Sequence, residues 1–237
     1  MPWSISWDDA GERLYETGTD RGVLYPVVGA NAATDGKAYT GGVAWNGLTG
    51  FTESPEGAEA NAIYADNIKY LNLRSAEDYG ATITAYTYPP EFEACNGQLS
   101  PTGATGVYLG QQNRSAFGFA CRTLVGNDTD GDAHGYKIHL VYGCTVSPSE
   151  RSYQTVNDSP EAIEFSWDVD TVPTNLVPAG MKPAACVTID TTQLSLGENG
   201  TDTSKLASLE DALYGATPYL PTPAKVAEMF GYVAPQG

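Results

Sequence analysis

"IKYLNLRSAEDYGATITAYTYP", residues 68–89, is the stretch on which the fold class turns. Ile68, Tyr70 and Asn72 alternate with Lys69, Leu71 and Leu73. Beyond a polar corner at Ser75 to Asp78, Ala81, Ile83 and Ala85 alternate with Thr82, Thr84 and Tyr86. Such a period of two puts successive side chains on opposite faces of a pleated strand. The stretch therefore reads as strand, turn, strand. Neither of its faces carries an obvious nucleophile, base or metal cluster.

The same grammar extends in both directions. Asn46-Gly47, between Trp45 and Leu48, predicts a two-residue hairpin, because both central positions of a type I′ turn need positive φ. Pro55 and Gly57 break the ladder that follows. Residues 90–95 predict a single helical turn within an otherwise irregular segment. Phe117, Phe119 and Cys121 oppose Gly118, Ala120 and Arg122. Tyr136, Ile138, Leu140, Tyr142 and Cys144 are expected on one face of the next strand, with Lys137 and His139 on the other. In "AIEFSWDVD", residues 162–170, Ile163, Phe165, Trp167 and Val169 point one way, and Glu164, Ser166, Asp168 and Asp170 the other. "AACVTID", residues 184–190, adds a further strand. About nine strands result, the pattern of a sandwich or barrel.

Helix is expected mainly at the end of the chain. Ser204 is placed to cap a helix over 204–215, with Leu206, Leu209 and Leu213 as its apolar stripe and Gly215 as its stop. Thr222, Pro223 and Gly231 repeat that pattern within a C-terminal extension over 216–237. Residues 29–41 are small, polar and Gly-rich, and read as a flexible arm. The expectation is a single mainly β domain over 1–237: a two-sheet sandwich or partial barrel, one flanking helix and a short helical tail.

With 29 acidic against 12 basic residues, the formal charge is −17. That balance excludes wrapping of nucleic acid, which needs Lys and Arg to displace counterions, and docking on an anionic membrane. It remains compatible with lying beside DNA without adhering to it. No apolar run is long enough to cross a bilayer, and no secretory signal is visible at the N-terminus. Cys95, Cys121, Cys144 and Cys186 are far apart, and the last three lie in apolar, strand-like stretches. They read as reduced thiols acting as small hydrophobes, with a cytoplasmic origin.

The motifs of nucleotide binding, zinc proteolysis and Ser hydrolysis are absent, and only His134 and His139 could serve a triad. His139 shares a polar strand face with Lys137 and reads as a surface imidazole; His134 sits in a Gly- and Asp-rich loop. No enzyme is expected, and no cofactor. Asp128, Asp130 and Asp132 resemble the start of a calcium loop, but Ala133 stands where that loop has Gly and His139 where it has Glu. A solvated turn is the simpler reading. Glu164, Asp168 and Asp170 read as the wet face of a sheet rather than as acid–base partners. The tripeptides at Asn113, Asn127, Asn157 and Asn199 match the glycosylation pattern and carry no weight without a secretory signal.

The phrases "YADNIKYLNL" (64–73) and "VNDSPEAIEFSW" (156–167) stand inside longer blocks between Gly11 and Tyr214. Together these blocks resemble the major tail, or tail tube, proteins of long-tailed bacteriophages and prophages. The resemblance implies a two-sheet β-sandwich flanked by a helix, assembling into hexameric rings that stack into a tube through which DNA passes. It implies tape-measure, tail terminator and distal tail proteins as partners, no membrane, and residence in the virion tail after assembly in the host cytoplasm. Six subunits giving four strands each would close a ring of circumference roughly 115 Å, with a bore of about 27 Å inside the side chains. Candidate bore-lining carboxylates are Glu53, Glu59, Glu164, Asp168 and Asp170. An acidic, hydrated wall would give a passing polyanion nothing to grip. Two alternatives stay open: a tube subunit of a phage-derived protein-injection machine, and a β-sandwich module binding carbohydrate through Trp and Tyr.

Overall fold

A computed structural model describes residues 7, 9–27, 36–57, 59–153, 155, 162–197 and 200–233. The part of the expected arm over 29–35 lies outside the described residues. The strands of the first half are β1 (Tyr15–Pro26), β2 (Lys37–Thr40), β3 (Val43–Ala44), β4 (Leu48–Glu53), β5 (Glu56–Gly57), β6 (Ala60–Ala65), β7 (Ile68–Arg74), β8 (Glu77–Asp78) and β9 (Gly80–Ala85). A single 3₁₀ turn at Pro90–Glu93 follows, where a helical turn was expected. The second half holds β10 (Phe117–Asn127), β11 (Gly131–Val146), β12 (Phe165–Thr171), β13 (Cys186–Asp190), α1 (Thr203–Tyr214), β14 (Tyr219–Pro221) and α2 (Pro223–Met229).

The chain is mainly β, built on one large antiparallel sheet in the order β3-β1-β10-β11-β12-β9-β4. β11 joins its two halves. One edge of β11 pairs with β10; the other pairs with β13 over Lys137–Val141 and with β12 over Cys144–Val146. The sheet curls until Phe51 of β4 meets Phe119 of β10, ring centroids 5.6 Å apart. Between the two halves lie Leu24, Trp45, Ile83, Phe92, Phe117, Phe119, Val141, Cys144, Trp167 and Val169. On the opposite face of β10 and β11, Ile138, Leu140 and Tyr142 pack against Leu206, Leu209 and Leu213 of α1, with Leu220 and Val226.

Cys144 does not share the face of Tyr142, contrary to the simple alternation. Phe117 pairs with Cys144 but Phe119 pairs with Val141, so β11 carries one extra residue there. A bulge shifts the phase of every side chain beyond it. Gly143 takes φ +62° at this point, and a Cβ on it would meet Val172 O at 2.3 Å. The amide that the bulge turns away from the ladder is not wasted: Gly143 N donates to Tyr39 Oη at 2.8 Å.

That tyrosine comes from β2, so Lys37–Thr40 is a strand rather than the end of a flexible arm. It pairs with β14, about 180 residues downstream. The C-terminal extension is likewise packed: Leu220 is fully buried and Val226 nearly so. The Thr222 hydroxyl caps α2 by accepting from Lys225 N, with Pro223 in the first turn, as expected. Ser204 does not cap α1. The helix begins one residue earlier, after Asp202, whose carboxylate accepts from Lys205 Nζ and Ser195 N instead.

Asn46-Gly47 is not a hairpin turn. β3 pairs with β1 and β4 with β9, so the two strands flanking the turn stand at opposite ends of the sheet order. Only Gly47 has positive φ, at +76°, and the corner carries the chain from one half of the sheet to the other. The type I′ signature instead belongs to Asp66 and Asn67, with φ +50° and +63°. The polar corner at 75–78 does not reverse the chain either, since Glu77–Asp78 continues the pairing with Glu56–Gly57.

Candidate functional site

Two surfaces stand out, both belonging to the ribbon between Leu48 and Ala85 and its neighbour β12. The first is the solvent face of β4, β9 and β12. Phe51 pairs with Ile83 and Trp167 with Ile83 on the inner side, so Thr52, Thr82, Thr84, Ser166, Asp168 and Asp170 are left outside. Thr82 Oγ1 donates to Asp168 Oδ1 at 3.1 Å, and Ser147 Oγ to Asp170 Oδ2 at 2.9 Å. Thr49 Oγ1 lies 2.5 Å from Glu164 Oε1 and 2.9 Å from Thr84 Oγ1. The three strands contain no Lys or Arg. The result is a hydroxyl-and-carboxylate surface with no cation of its own.

Glu164, Asp168 and Asp170 therefore share one face. Glu53 and Glu59 do not join them. Glu53 pairs with buried Ala81 and has the same parity as Phe51, so its carboxylate turns inward, where Tyr79 Oη donates to it at 2.9 Å. Glu59 lies exposed further along the ribbon. Two acids that the sequence reading passed over extend the face. Glu56 and Asp78 stand directly opposite one another, and with Asp168 and Asp170 they line a cleft of about 710 Å³. Like charges across a strand pair repel. Their place beside Pro55 and Gly57, where the ladder is interrupted, was the available signal.

His139 is not a surface imidazole. It has the parity of Val141, facing the space between the sheet halves, and its side chain is only 12% exposed. Nε2 lies 2.9 Å from Thr123 Oγ1, and Nδ1 3.5 Å from Glu53 Oε1. Burial lowers its pKa, and the nearby Glu53 and Glu16 carboxylates only partly oppose that. Below the unfolded value of about 6.5 the unfolded chain thus binds a proton that the folded chain resists. Stability is expected to be full above that pH, to fall as pH drops through it, and to level off below the folded pKa. Thermal melts between pH 8 and 5 should show this loss in the parent chain and a smaller one in His139→Gln; equal slopes would refute it.

The Asp-rich turn does not gather its carboxylates. Asp128 accepts from Gly11 N and faces Arg13, Asp130 faces His134, and Asp132 accepts from Tyr15 Oη. Asn127, nearly buried, holds the turn by accepting from Thr129 N and Asp130 N. Among the described residues no group of three or more His, Cys, Asp or Glu is arranged to hold a metal ion. None of the described helices is long and apolar enough to cross a membrane. Cys95, Cys121 and Cys144 are buried free thiols and Cys186 is half-buried. Burial alone pushes Cys95 up to about 12, which keeps it an unreactive thiol.

The second surface is the ribbon's outer part. β4 and β9, β5 and β8, then β6 and β7 pair in succession and close at Asp66-Asn67. Twelve residues separate Glu53 from the tip, a reach of about 40 Å at strand rise. Every residue of β7 is exposed. Tyr64 and Tyr70 are each 69% exposed, Ile68 65% and Leu73 52%. Ile63, Leu71 and Leu73 share one face by register. Of the described residues between Ser54 and Asp78, none belongs to either hydrophobic cluster. A lone two-stranded ribbon is marginal in water, and an apolar one invites a partner.

Neither a protein-family model nor a curated protein matches the chain.

Proposed function

We propose that this chain is a structural virion protein with the tail tube fold, the subunit of hexameric rings that stack into a phage tail tube and conduct DNA. The reading rests on the resemblance of residues 64–73 and 156–167 to tail tube proteins. The single structural observation that carries it is the cation-free face of β4, β9 and β12. With the last residues of β11 these strands form four adjacent members of the sheet, and the outer edge of β4 has no strand beside it among the described residues. An unpaired edge is a seam at which a second copy can continue the ladder. Copies joined there line a channel with Thr, Ser, Glu164, Asp168 and Asp170.

The wall works by what it lacks. DNA carries a negative charge per ~1.7 Å of axis, and each Lys or Arg on the wall would trade counterions for a phosphate contact. Carboxylates leave those counterions in place, while hydroxyls and water lubricate passage without sequence preference. Asp168→Lys combined with Asp170→Lys is expected to leave tubes intact in negative-stain micrographs but to slow DNA ejection from assembled particles at least about tenfold, with the defect relieved by added salt. Unchanged ejection by intact tubes would refute the lining role; a protein forming neither rings nor tubes at high concentration would refute the class.

A further inference from the structure

The ribbon leaves the sheet after Glu53, the last residue of β4, and returns at Tyr79, just before β9. Ser54 N donates to Gly80 O at 2.8 Å and closes its root. Tyr79 Oη donates to Glu53 Oε1 at 2.9 Å, and the same oxygen lies 3.5 Å from His139 Nδ1, across the gap between the sheet halves. That nitrogen is buried, with no hydrogen-bond partner among the described residues. Thr123 of β10 lies 2.9 Å from Nε2, and fully buried Cys121 pairs with His139 directly. From β13, Thr188 pairs with His139 and Cys186 with Val141; the Phe51 ring of β4 lies 6.3 Å away. Glu16 of β1 and Asp190 of β13 are both engaged by Lys137, so Glu53 is the carboxylate turned to the imidazole.

We infer that His139, Glu53 and Tyr79 form a proton-operated latch at the root of the ribbon, closed while the imidazole is neutral and released when it is protonated. An imidazolium donates from both nitrogens. Thr123 Oγ1 is placed to accept from Nε2, but 3.5 Å is beyond hydrogen-bond range for Nδ1. Glu53 is kept at that distance by the Tyr79 hydroxyl and by the β4–β9 ladder. A charged donor left buried and unmatched costs more than admitting water. Water has its entry at the root, since the Glu53 side chain is 43% exposed and no described residue between Ser54 and Asp78 enters a hydrophobic cluster. Burial holds His139 below its ordinary pKa, as a closed state that resists the proton requires. A tilt of about 5° at the root carries the tip roughly 3–4 Å over the ribbon's reach. The latch belongs to the single folded chain and does not depend on assembly.

The test attaches spin labels through p-acetylphenylalanine at the exposed positions Tyr70 and Ala207 of the full chain. Dilution in excess unlabelled chain restricts pulsed electron resonance to distances within one copy, read at pH 8 and pH 5. The lower pH stays above the ordinary Glu value of about 4.3. In the parent chain a narrow distance at pH 8 is expected to give way to a longer or broader distribution at pH 5. The open-to-closed ratio rises up to about 30-fold for a group that titrates near 6.5 only when open. His139→Gln should keep the narrow distance at both pH values. Glu53→Gln, at a part-exposed site, should open further at pH 5 than the parent, because the opposing carboxylate is gone. An unchanged or narrower distribution in the parent overturns the latch, as does the same broadening in His139→Gln or a loss of near-UV dichroism along with the shift. Should His139→Gln not fold, a Glu53→Gln chain that opens no further than the parent overturns it alone.

Discussion

Trp167→Ala is expected to remove about 3–5 kcal/mol of unfolding free energy, the range for truncating a buried large aromatic. Trp167 is 1% exposed and sits where the curled sheet closes on itself. Its ring centroid lies 5.2 Å from Phe92, 5.4 Å from Tyr88, 5.6 Å from Trp45 and 5.8 Å from Phe165. These rings come from β12, the corner before β4, the segment after β9, and the 3₁₀ turn. Three of the four contacts are edge-on, which favours each pair by about 0.5–1.5 kcal/mol beyond area burial. The cavity left by Ala has no short route to collapse, because its walls are the two halves of one covalently continuous sheet. A domain with about 5–15 kcal/mol in hand would lose roughly a fifth or more. At about 2–4 °C per kcal/mol for this length, the melting temperature should drop by roughly 6–20 °C. Urea unfolding with an unchanged m-value would attribute the loss to the folded state. A loss below about 1 kcal/mol would mean that the cluster is not the keystone its geometry implies.

The same tryptophan shows what alternation can reveal. In 165–170 each residue's face follows from parity, and Trp167 and Val169 are buried while Asp168 and Asp170 are wet. Parity also held the answer for Glu53, since Phe51 two residues earlier must face inward. What period two cannot carry is an interruption of itself. The extra residue at Gly143 moved Cys144 across the sheet, and the signal was only a glycine between Tyr142 and Cys144. Polarity misled at His139, because an imidazole with a hydroxyl and a carboxylate beside it can lie between sheets. Turn chemistry misled at Asn46-Gly47: local preference fixes a bend but not which strands it joins, and the pairing of β3 and β4 with distant partners decided that. β2 lay beyond sequence reading because its partner β14 is remote and both strands are short.

Tyr64→Ser, Tyr70→Ser and Leu73→Ser together are expected to abolish assembly and leave the folded subunit as it is. The two halves of that expectation have separate grounds. For the fold, the three side chains are 69%, 69% and 52% exposed, and none of the described residues from Ser54 to Asp78 enters a core cluster. Exposed substitutions of this kind change stability by about 0.5 kcal/mol or less each. For assembly, aromatic anchors at a protein contact commonly contribute about 2 kcal/mol or more apiece. A loss of that size weakens each contact roughly 30-fold. A ring cannot close unless every contact holds, so the deficit recurs at each joint while the subunit's own stability is untouched. On the proposed ring assembly, sedimentation velocity should show only the monomer at concentrations where the parent chain assembles, with superimposable thermal melts for the two monomers. If the ribbon were instead a strut for its own domain, the melt would shift before the sedimentation profile did, because its loss would be felt by every chain at any concentration.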